Sequence, residues 1–277
     1  MKFWKMNGAG NDFIILNNLE EHLPAEDFPR LARVLCERHL SIGADGFMVV
    51  DAPTQGGDYK MLFFNSDGTM GEMCGNGARC ICRYGFENGL AGETQRVETT
   101  AGMVTGQRIS RRCYRVRLND PTTIRLDSPV EVDGVTYPCS YVELGNPGLP
   151  HAVVPFQGLQ EAGQTRLREL GRKLRWHSAF PKGANVNFYE LTGEDQLYEY
   201  TFERGVEDFT YACGTGTGSV VTVLTLQGKV SGHGVRARMP GGELVIDVER
   251  EQDRITDLYL TGPTNIVCQG EVTDEEL

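Results

Sequence analysis

The chain has no apolar run approaching the roughly 18 to 20 residues that a membrane-spanning helix needs, and its start, MKFWKMNGAG, lacks the apolar stretch of a secretory signal. Positive charge is also scarce. With 27 Lys and Arg against 38 Asp and Glu the formal net charge is −11, which argues against a nucleic-acid partner held through its phosphates. The one arginine cluster, at 108, 111, 112, 115 and 117, reads as a solvated strand face. Low-complexity segments and short-period repeats are absent. These absences leave a soluble, cytoplasmic enzyme or binding protein, with no membrane and no nucleic acid among its partners.

Two familiar cofactor signals are incomplete. MNGAGND contains G-x-G but neither the third glycine nor the following helix of a dinucleotide loop. Cys74, Cys80 and Cys82 are spaced C-x5-C-x-C, unlike the C-x2-4-C knuckle of structural zinc, and the last two would face different directions on a helix. No metal site is expected. Cys36, Cys113 and Cys139 have no partner context and are expected to pack as small hydrophobes.

What is present is a succession of short apolar or alternating runs, among them KFWKM, DFIIL, GFMVVD, YKMLFFN, VTYPCSYVEL, HAVVPF, NVNFYEL, LYEYTFE and ELVIDVE, divided by turn clusters such as NSDG and PGGE. That pattern predicts a sheet-rich chain. Helices are predicted where Asp27 can cap FPRLARVLCERH and where TRLRELGRKLRWH has helical apolar spacing. GNGARCICRYGFENG is bounded by glycines, with Gly85 or Gly89 as its stop. GTGTGSVVTVLTLQG is ambiguous, because VVTVLTL is β-branched and its propensity favours a strand; as a helix it would be apolar all round and buried.

At 277 residues the chain fits two domains. One long-period echo supports a duplication: Cys74-Gly75-Asn76-Gly77 and Cys213-Gly214-Thr215-Gly216 share C-G-x-G, 139 positions apart. A cysteine just ahead of a helix lies in the field of the helix's positive end, which lowers its pKa. The same N–H groups bind anions, so a substrate carboxylate can sit beside the sulfur. Two such helix starts facing one substrate would place its α-carbon between two thiols. Inverting a stereocentre by proton transfer needs one group to remove the proton and another to deliver it on the opposite face, while the N–H groups stabilise the enolate-like charge on the carboxylate.

The segments MNGAGNDF, SIGADGF, FFNSDGTMGEMCGNGARC, GNPGLPHAVV, KGANVNFYE, FERGVEDFTYACGTGTGS and TGPTNIVCQG resemble the diaminopimelate epimerases over almost the whole chain. The resemblance implies a mixed α/β fold of two pseudo-symmetric halves, each a curled mixed sheet around a central buried helix, with the active site in the cleft between them. The halves are expected at 1–118 with 267–277, and at 119–266. It resolves VVTVLTL as a helix. It implies cofactor-independent conversion of L,L-diaminopimelate to the meso isomer for lysine and peptidoglycan precursor synthesis, by a cytoplasmic homodimer.

By the same resemblance Cys213 is the base and Cys74 the acid, with His151 and Glu203 beside the thiols. The reacting carboxylate would be cradled by Gly75, Asn76, Gly214 and Thr215. Asn11, Asn65, Asn146, Asn185, Glu203 and Arg204 would recognise the rest of the substrate, with Arg204 gripping the distal carboxylate and a buried Glu203 facing an ammonium. Three departures stand out. Asn146-Pro147 is separated from His151 by Gly148-Leu149-Pro150 where the family commonly has asparagine-proline-histidine, so this loop is expected to bulge. Gly46 stands where some relatives have glutamine, leaving a roomier site. Cys268 stands where some dimeric relatives have tyrosine. Two rival functions remain: a proline- or hydroxyproline-type racemase, which would have no distal zwitterion for Glu203-Arg204 to bind, and a thiol-redox or zinc-binding regulator using the same cysteines.

Overall fold

Alternating burial along the chain produces sixteen strands in the computed structural model, which describes residues 1–71, 74–162 and 164–273. Glu72 and Met73, ahead of the first cysteine motif, and residues 274–277 of the expected first half lie outside the described residues. The strands are β1 (Lys2–Gly8), β2 (Asn11–Asn17), β3 (Gly46–Asp51), β4 (Tyr59–Asn65), β5 (Thr94–Thr99), β6 (Gly102–Ser110), β7 (Cys113–Arg117) and β8 (Pro121–Val132). They continue with β9 (Val135–Leu144), β10 (Leu149–Pro155), β11 (Asn185–Gly193), β12 (Gln196–Phe202), β13 (Val235–Met239), β14 (Gly242–Glu251), β15 (Arg254–Pro263) and β16 (Asn265–Glu271). The helices are α1 (Asn18–Glu21), α2 (Phe28–Cys36), α3 (Gly75–Glu87), α4 (Gln164–Arg175) and α5 (Gly214–Leu226). None is long and apolar enough to cross a membrane.

The chain divides into two compact units, Met1–Val116 with Gly262–Leu277, and Arg117–Thr261. The first orders its strands β16-β1-β2-β3-β4-β5-β6-β7 and the second β8-β9-β10-β11-β12-β13-β14-β15. Read in those orders, both show the same succession of pairings. The parallel pairs are β2 with β3 and β4 with β5 in one unit, β10 with β11 and β12 with β13 in the other, and the remaining neighbours are antiparallel. A parallel pair needs a crossover. Helix α3 lies in the β4-to-β5 crossover and α5 in the β12-to-β13 crossover, so each unit carries one C-G-x-G helix at the same topological step.

Each of these helices touches strands from both sides of its sheet: α3 packs on β1, β2 and β6, and α5 on β8, β9, β10, β11 and β14. A sheet that contacts one helix from both sides must curl around it. This burial decides the state of VVTVLTL, whose Val220, Val221, Val223 and Leu224 are all at most 1 % exposed. Tertiary context outweighs the strand propensity of the segment. The outer faces are covered by α2, through Phe28, Leu31 and Leu35, and by α4, through Leu167, Leu170 and Leu174. Each fully buried side chain of that size contributes about 1.5 to 3 kcal/mol.

Several local expectations change. Asp27 makes no side-chain cap to α2 and sits in a short 3-10 turn, and the helix stops at Cys36, before Glu37-Arg38-His39. Gly89, at φ +69°, ends the C-terminal turn after α3, while Gly85 lies within the helix against the Tyr59 ring. Strand β16 and the first part of β8 carry no apolar alternation; β16 is largely exposed and β8 is exposed through most of its length. Cys113 is half-buried, whereas Cys36 and Cys139 are buried.

Candidate active site

In the first unit Cys74 occupies the N-cap of α3 with extended backbone, φ −124° and ψ 114°, and its carbonyl accepts the Ala78 N–H at 2.8 Å. A helix gives its first N–H groups no acceptor of its own, and the start of α3, at Gly75 and Asn76, is the positive end of the helix dipole. A Cβ at Gly77 would meet the end of the Met48 side chain, which would have to shift to admit it. Asn76 is 1 % exposed. Its Nδ2 donates to Asn11 Oδ1 at 2.7 Å and its Oδ1 accepts from Arg79 Nη2 at 2.9 Å. Asn11 opens β2 and donates in turn to Asp45 Oδ2 at 3.2 Å. Thus the structure joins Asn11 to the start of the cysteine helix.

Asn65 is exposed at the end of β4. Its Nδ2 donates to Thr69 Oγ1 at 2.9 Å, and its backbone carbonyl closes the turn with Gly68 N–H. Gly46 is buried in β3, and a Cβ there would strike the Phe63 ring at 2.5 Å. The space expected from the missing glutamine is therefore occupied by an aromatic ring. Cys80 and Cys82 are fully buried, and burial pushes both thiols up to about 12. No group of three metal-ligating side chains occurs among the described residues.

In the second unit Cys213 is the N-cap of α5, with φ −120° and ψ 102°. Its Sγ accepts from Gly216 N–H at 3.4 Å and lies 3.5 Å from Thr215 Oγ1. The cysteine carbonyl accepts both the N–H and the hydroxyl of Thr217, each at 2.9 Å. The expected lowering of the thiol pKa is not what this environment produces. Although part of the residue's surface is open, burial of the sulfur, followed by the charge of Glu203, pushes the thiol well up, and the donors from Thr215 and Gly216 oppose this without reversing it. The helix start supplies partial charges, whereas Glu203 supplies a full negative one.

Glu203 is half-buried rather than buried, and Thr210 Oγ1 donates to its Oε1 at 2.5 Å. Arg204 is exposed, with Nη1 3.4 Å from Lys182 O. Asn185, 5 % exposed, is committed at both ends of its amide: Oδ1 accepts from Arg204 N–H at 2.8 Å and Nδ2 donates to Pro150 O at 3.2 Å. It braces β10 to the Glu203-Arg204 turn. His151 is fully buried, and burial together with the nearby Arg204 charge holds it down at about 3, so it is neutral.

The expected bulge before His151 does not form. Strand β10 already begins at Leu149 and pairs with β9 in unbroken register, Leu149 with Leu144, Pro150 with Glu143 and His151 with Val142. Leu149-Pro150 therefore immediately precedes the histidine in the strand. Asn146 is exposed in the turn, joined to Pro147 by a cis peptide bond.

Three polar residues were missed in the sequence as site components. Asn187 is fully buried; its Nδ2 is shared among Ala152 O at 3.0 Å, His151 Nδ1 at 3.3 Å and Asn185 O at 3.3 Å, and its Oδ1 accepts from Thr201 at 3.0 Å. Glu199 is 1 % exposed, 3.3 Å from Thr201 Oγ1, and burial pushes its carboxyl up to about 8. Arg79 is buried in α3. Leu197, Glu199 and Thr201 share a buried face of β12, yet the alternation in LYEYTFE sets the apolar Tyr198, Tyr200 and Phe202 on the opposite face, so no sequence pattern marks Glu199 as buried.

The chain matches the diaminopimelate epimerase family over residues 3–111 and 144–267. It is 36 % identical over 289 aligned positions to the diaminopimelate epimerase of Aquifex aeolicus (strain VF5), covering 100 % of this chain and 99 % of that protein. It is also 36 % identical over 285 positions to that of Methanothrix thermoacetophila, covering 100 % and 98 %. Among solved structures, a probable proline racemase from Agrobacterium radiobacter K84 superposes with a TM-score of 0.71 at 15 % identity, covering 99 % of this chain and 93 % of the other. A hydroxyproline epimerase from Agrobacterium vitis gives 0.69 at 17 % identity, covering 98 % and 90 %. At such identities the structural likeness speaks for the fold alone. Matched in sequence through both cysteine helices and over its full length, the chain belongs to the diaminopimelate epimerase family.

Proposed function

We infer that this chain is a cofactor-independent isomerase that converts L,L-diaminopimelate to meso-diaminopimelate, serving lysine and peptidoglycan precursor synthesis. The observation that carries the reading is the repetition of Cys-Gly-x-Gly as N-cap and first turn of the buried helix in each of two topologically equivalent units. Cys213 acts as base and Cys74 as acid in the L,L-to-meso direction. Gly75, Asn76, Gly214 and Thr215 cradle the reacting carboxylate, whose charge grows as the α-proton leaves. Asn11, Asn65 and Asn185 order the remainder of the substrate, Arg204 takes the distal carboxylate, and Glu203 takes an ammonium.

The Glu203 assignment supplies a reason for the raised Cys213 thiol. While the site is empty, the Glu203 carboxylate opposes a thiolate nearby. A substrate ammonium beside Glu203 cancels that charge, so that the base forms when there is a proton to take. His151, neutral and buried, orients the site without competing for that proton. Asn146 contributes least, given its exposed turn.

A racemase of a small cyclic amino acid is the second reading, supported only at the level of fold. Turnover assays on L,L-diaminopimelate and L-proline separate the two: activity on the first is expected, and activity on proline alone would overturn the choice. We further propose a cytoplasmic homodimer, for which sedimentation at micromolar concentration should return twice the chain mass.

A further inference from the structure

Arg79 is the largest fully buried side chain of the first unit. Its charge has no carboxylate partner among the described residues: Nη2 donates to Asn76 Oδ1 at 2.9 Å, Nη1 lies 3.4 Å from Gly75 O, and Nε has no acceptor. The ionisable groups around it are three thiols, Cys80, Cys74 and Cys113. A guanidinium stripped of water requires either hydrogen-bond acceptors on all sides or a counter-anion. Cys80 is buried and remains a neutral thiol, and burial also pushes the Cys113 thiol up. Cys74, half-buried at the N-cap of α3, is the thiol that the substrate reaches in the proposed reaction.

The same guanidinium sets a direction in the hydrogen bonds beside the thiol. Arginine only donates, so Asn76 must turn Oδ1 toward it and Nδ2 away. Asn76 Nδ2 donates to Asn11 Oδ1 at 2.7 Å, which forces Asn11 to turn its own Nδ2 outward, where it donates to Asp45 Oδ2 at 3.2 Å. Asp45 is held in turn by Arg38 Nη2 at 2.9 Å. The two amides are thereby held in one direction from both ends, by the buried donor of Arg79 and by the acceptor of Asp45.

Resting on the epimerase reading, we propose that Arg79 is a positioning residue of the reaction, orienting Asn76 and Asn11 for substrate and supplying the positive charge that balances Cys74 as a thiolate. It touches neither the reacting atoms nor solvent.

The test uses Arg79→Met and Arg79→Lys in the full chain. Replacing a buried ion by an apolar side chain of similar length is often tolerated; the lysine variant, which keeps the charge, supplies the test should the methionine variant fail to fold. The first readout is the pH dependence of iodoacetamide alkylation at Cys74, located by peptide mapping without substrate. Arg79→Met should move the alkylation midpoint upward by at least one pH unit, about a tenfold loss of thiolate at pH 7, and Arg79→Lys should restore most of it. The second readout is turnover. Arg79→Met should lower kcat about tenfold or more, while Arg79→Lys should recover kcat with KM still raised several-fold, because an ammonium holds Asn76 without the planar fork. A wild-type alkylation curve in Arg79→Met, or in Arg79→Lys a midpoint shifted as far as that expected for methionine, would overturn the charge role. A wild-type KM in both variants would overturn the orienting role. The alkylation arm needs no turnover, so it stands even if wild type proves inactive on diaminopimelate.

Discussion

Two buried ionisable residues of the second unit give the protein opposing pH dependences. Glu199 moves from 4.5 to about 8, so between those values the folded chain keeps a proton that the unfolded chain has released. Its contribution to stability is complete below pH 4.5 and is lost as pH rises toward 8, on the order of 5 kcal/mol in all. His151 moves from 6.5 to about 3 and binds its proton less well when folded. Its contribution is complete above pH 6.5 and is lost on acidification. The two slopes oppose each other between pH 4.5 and 6.5, and Glu199 acts alone above that. Glu199→Gln should therefore remove a decline of about 2 kcal/mol between pH 6.5 and 8, read from urea unfolding at the two pH values. An undiminished decline in the variant would show that Glu199 is not the group responsible.

Glu203 permits a second residue-scale measurement. Its charge opposes the Cys213 thiolate, so Glu203→Gln should speed alkylation of Cys213 at pH 8 in the empty enzyme while raising KM for diaminopimelate at least tenfold. Faster alkylation with an unchanged KM would leave Glu203 a modulator of the thiol and remove it from substrate binding. The cysteines and their glycines were legible because C-G-x-G repeats. Glu199 and Asn187 were not, because an acid or amide in a strand ordinarily faces solvent, and only the sheet's curl around α5 turns that face inward.

At the level of elements, the glycines of α3 and α5 are sites of close approach. Gly85 carries Tyr59 against its backbone: a Cβ would come within 2.5 Å of the Tyr59 hydroxyl and 2.7 Å of the ring, while that hydroxyl donates to Gln95 Oε1 at 2.7 Å and lies 3.0 Å from Ile81 O. Gly85→Ala should cost about 1 to 3 kcal/mol by overpacking, with kcat little changed because the position is eleven residues past the N-cap. Gly216→Ala should behave differently. Its Cβ would collide with Asn187 Oδ1 and press on Cys213 Sγ at 3.2 Å, so activity should fall at least tenfold, measured as kcat at saturating substrate. Equal loss of stability and unchanged kcat in both variants would mean that the α5 start is not part of the chemistry.

Strands with an apolar face, such as β3 and β11, could be read directly from GFMVVD and NVNFYEL. Strands β8 and β16 could not, since hydrogen bonding to a neighbour, and not burial of a face, holds most of their length. Helix α2 was legible in its apolar spacing but not at its ends, where a 3-10 turn absorbs Asp27 and the chain leaves the helix after Cys36. The loop before His151 was misread because the insertion falls at a hairpin. A four-residue turn, with Gly145 at φ +78°, takes up the extra length and leaves the strand register intact.

For the molecule as a whole, the determining feature is duplication. Each unit repeats one order of strand pairings and delivers one cysteine at the start of one enclosed helix. The sequence echo pointed to this from four residues in each half, whereas the curl of each sheet around its helix depends on contacts between distant strands that no local pattern carries. Oppositely charged side chains pair at the surface, as Arg168 does with Asp208 and Lys173 with Asp133. Exposed pairs of this kind contribute about 1 kcal/mol or less each, so stability rests on the helices and the apolar faces that enclose them.

The proposed two-thiol reaction gives duplication a chemical corollary: if each thiol serves one face of the substrate carbon, neither suffices alone. The most direct measurement is α-hydrogen exchange and epimerisation of L,L-diaminopimelate in deuterated water by wild type, Cys74→Ser and Cys213→Ser. Wild type should form meso product carrying deuterium at the inverted carbon, and each serine variant should lose on the order of 100-fold or more of its epimerisation rate, the scale of a lost acid or base. Epimerisation at the wild-type rate by either variant would contradict the two-thiol account.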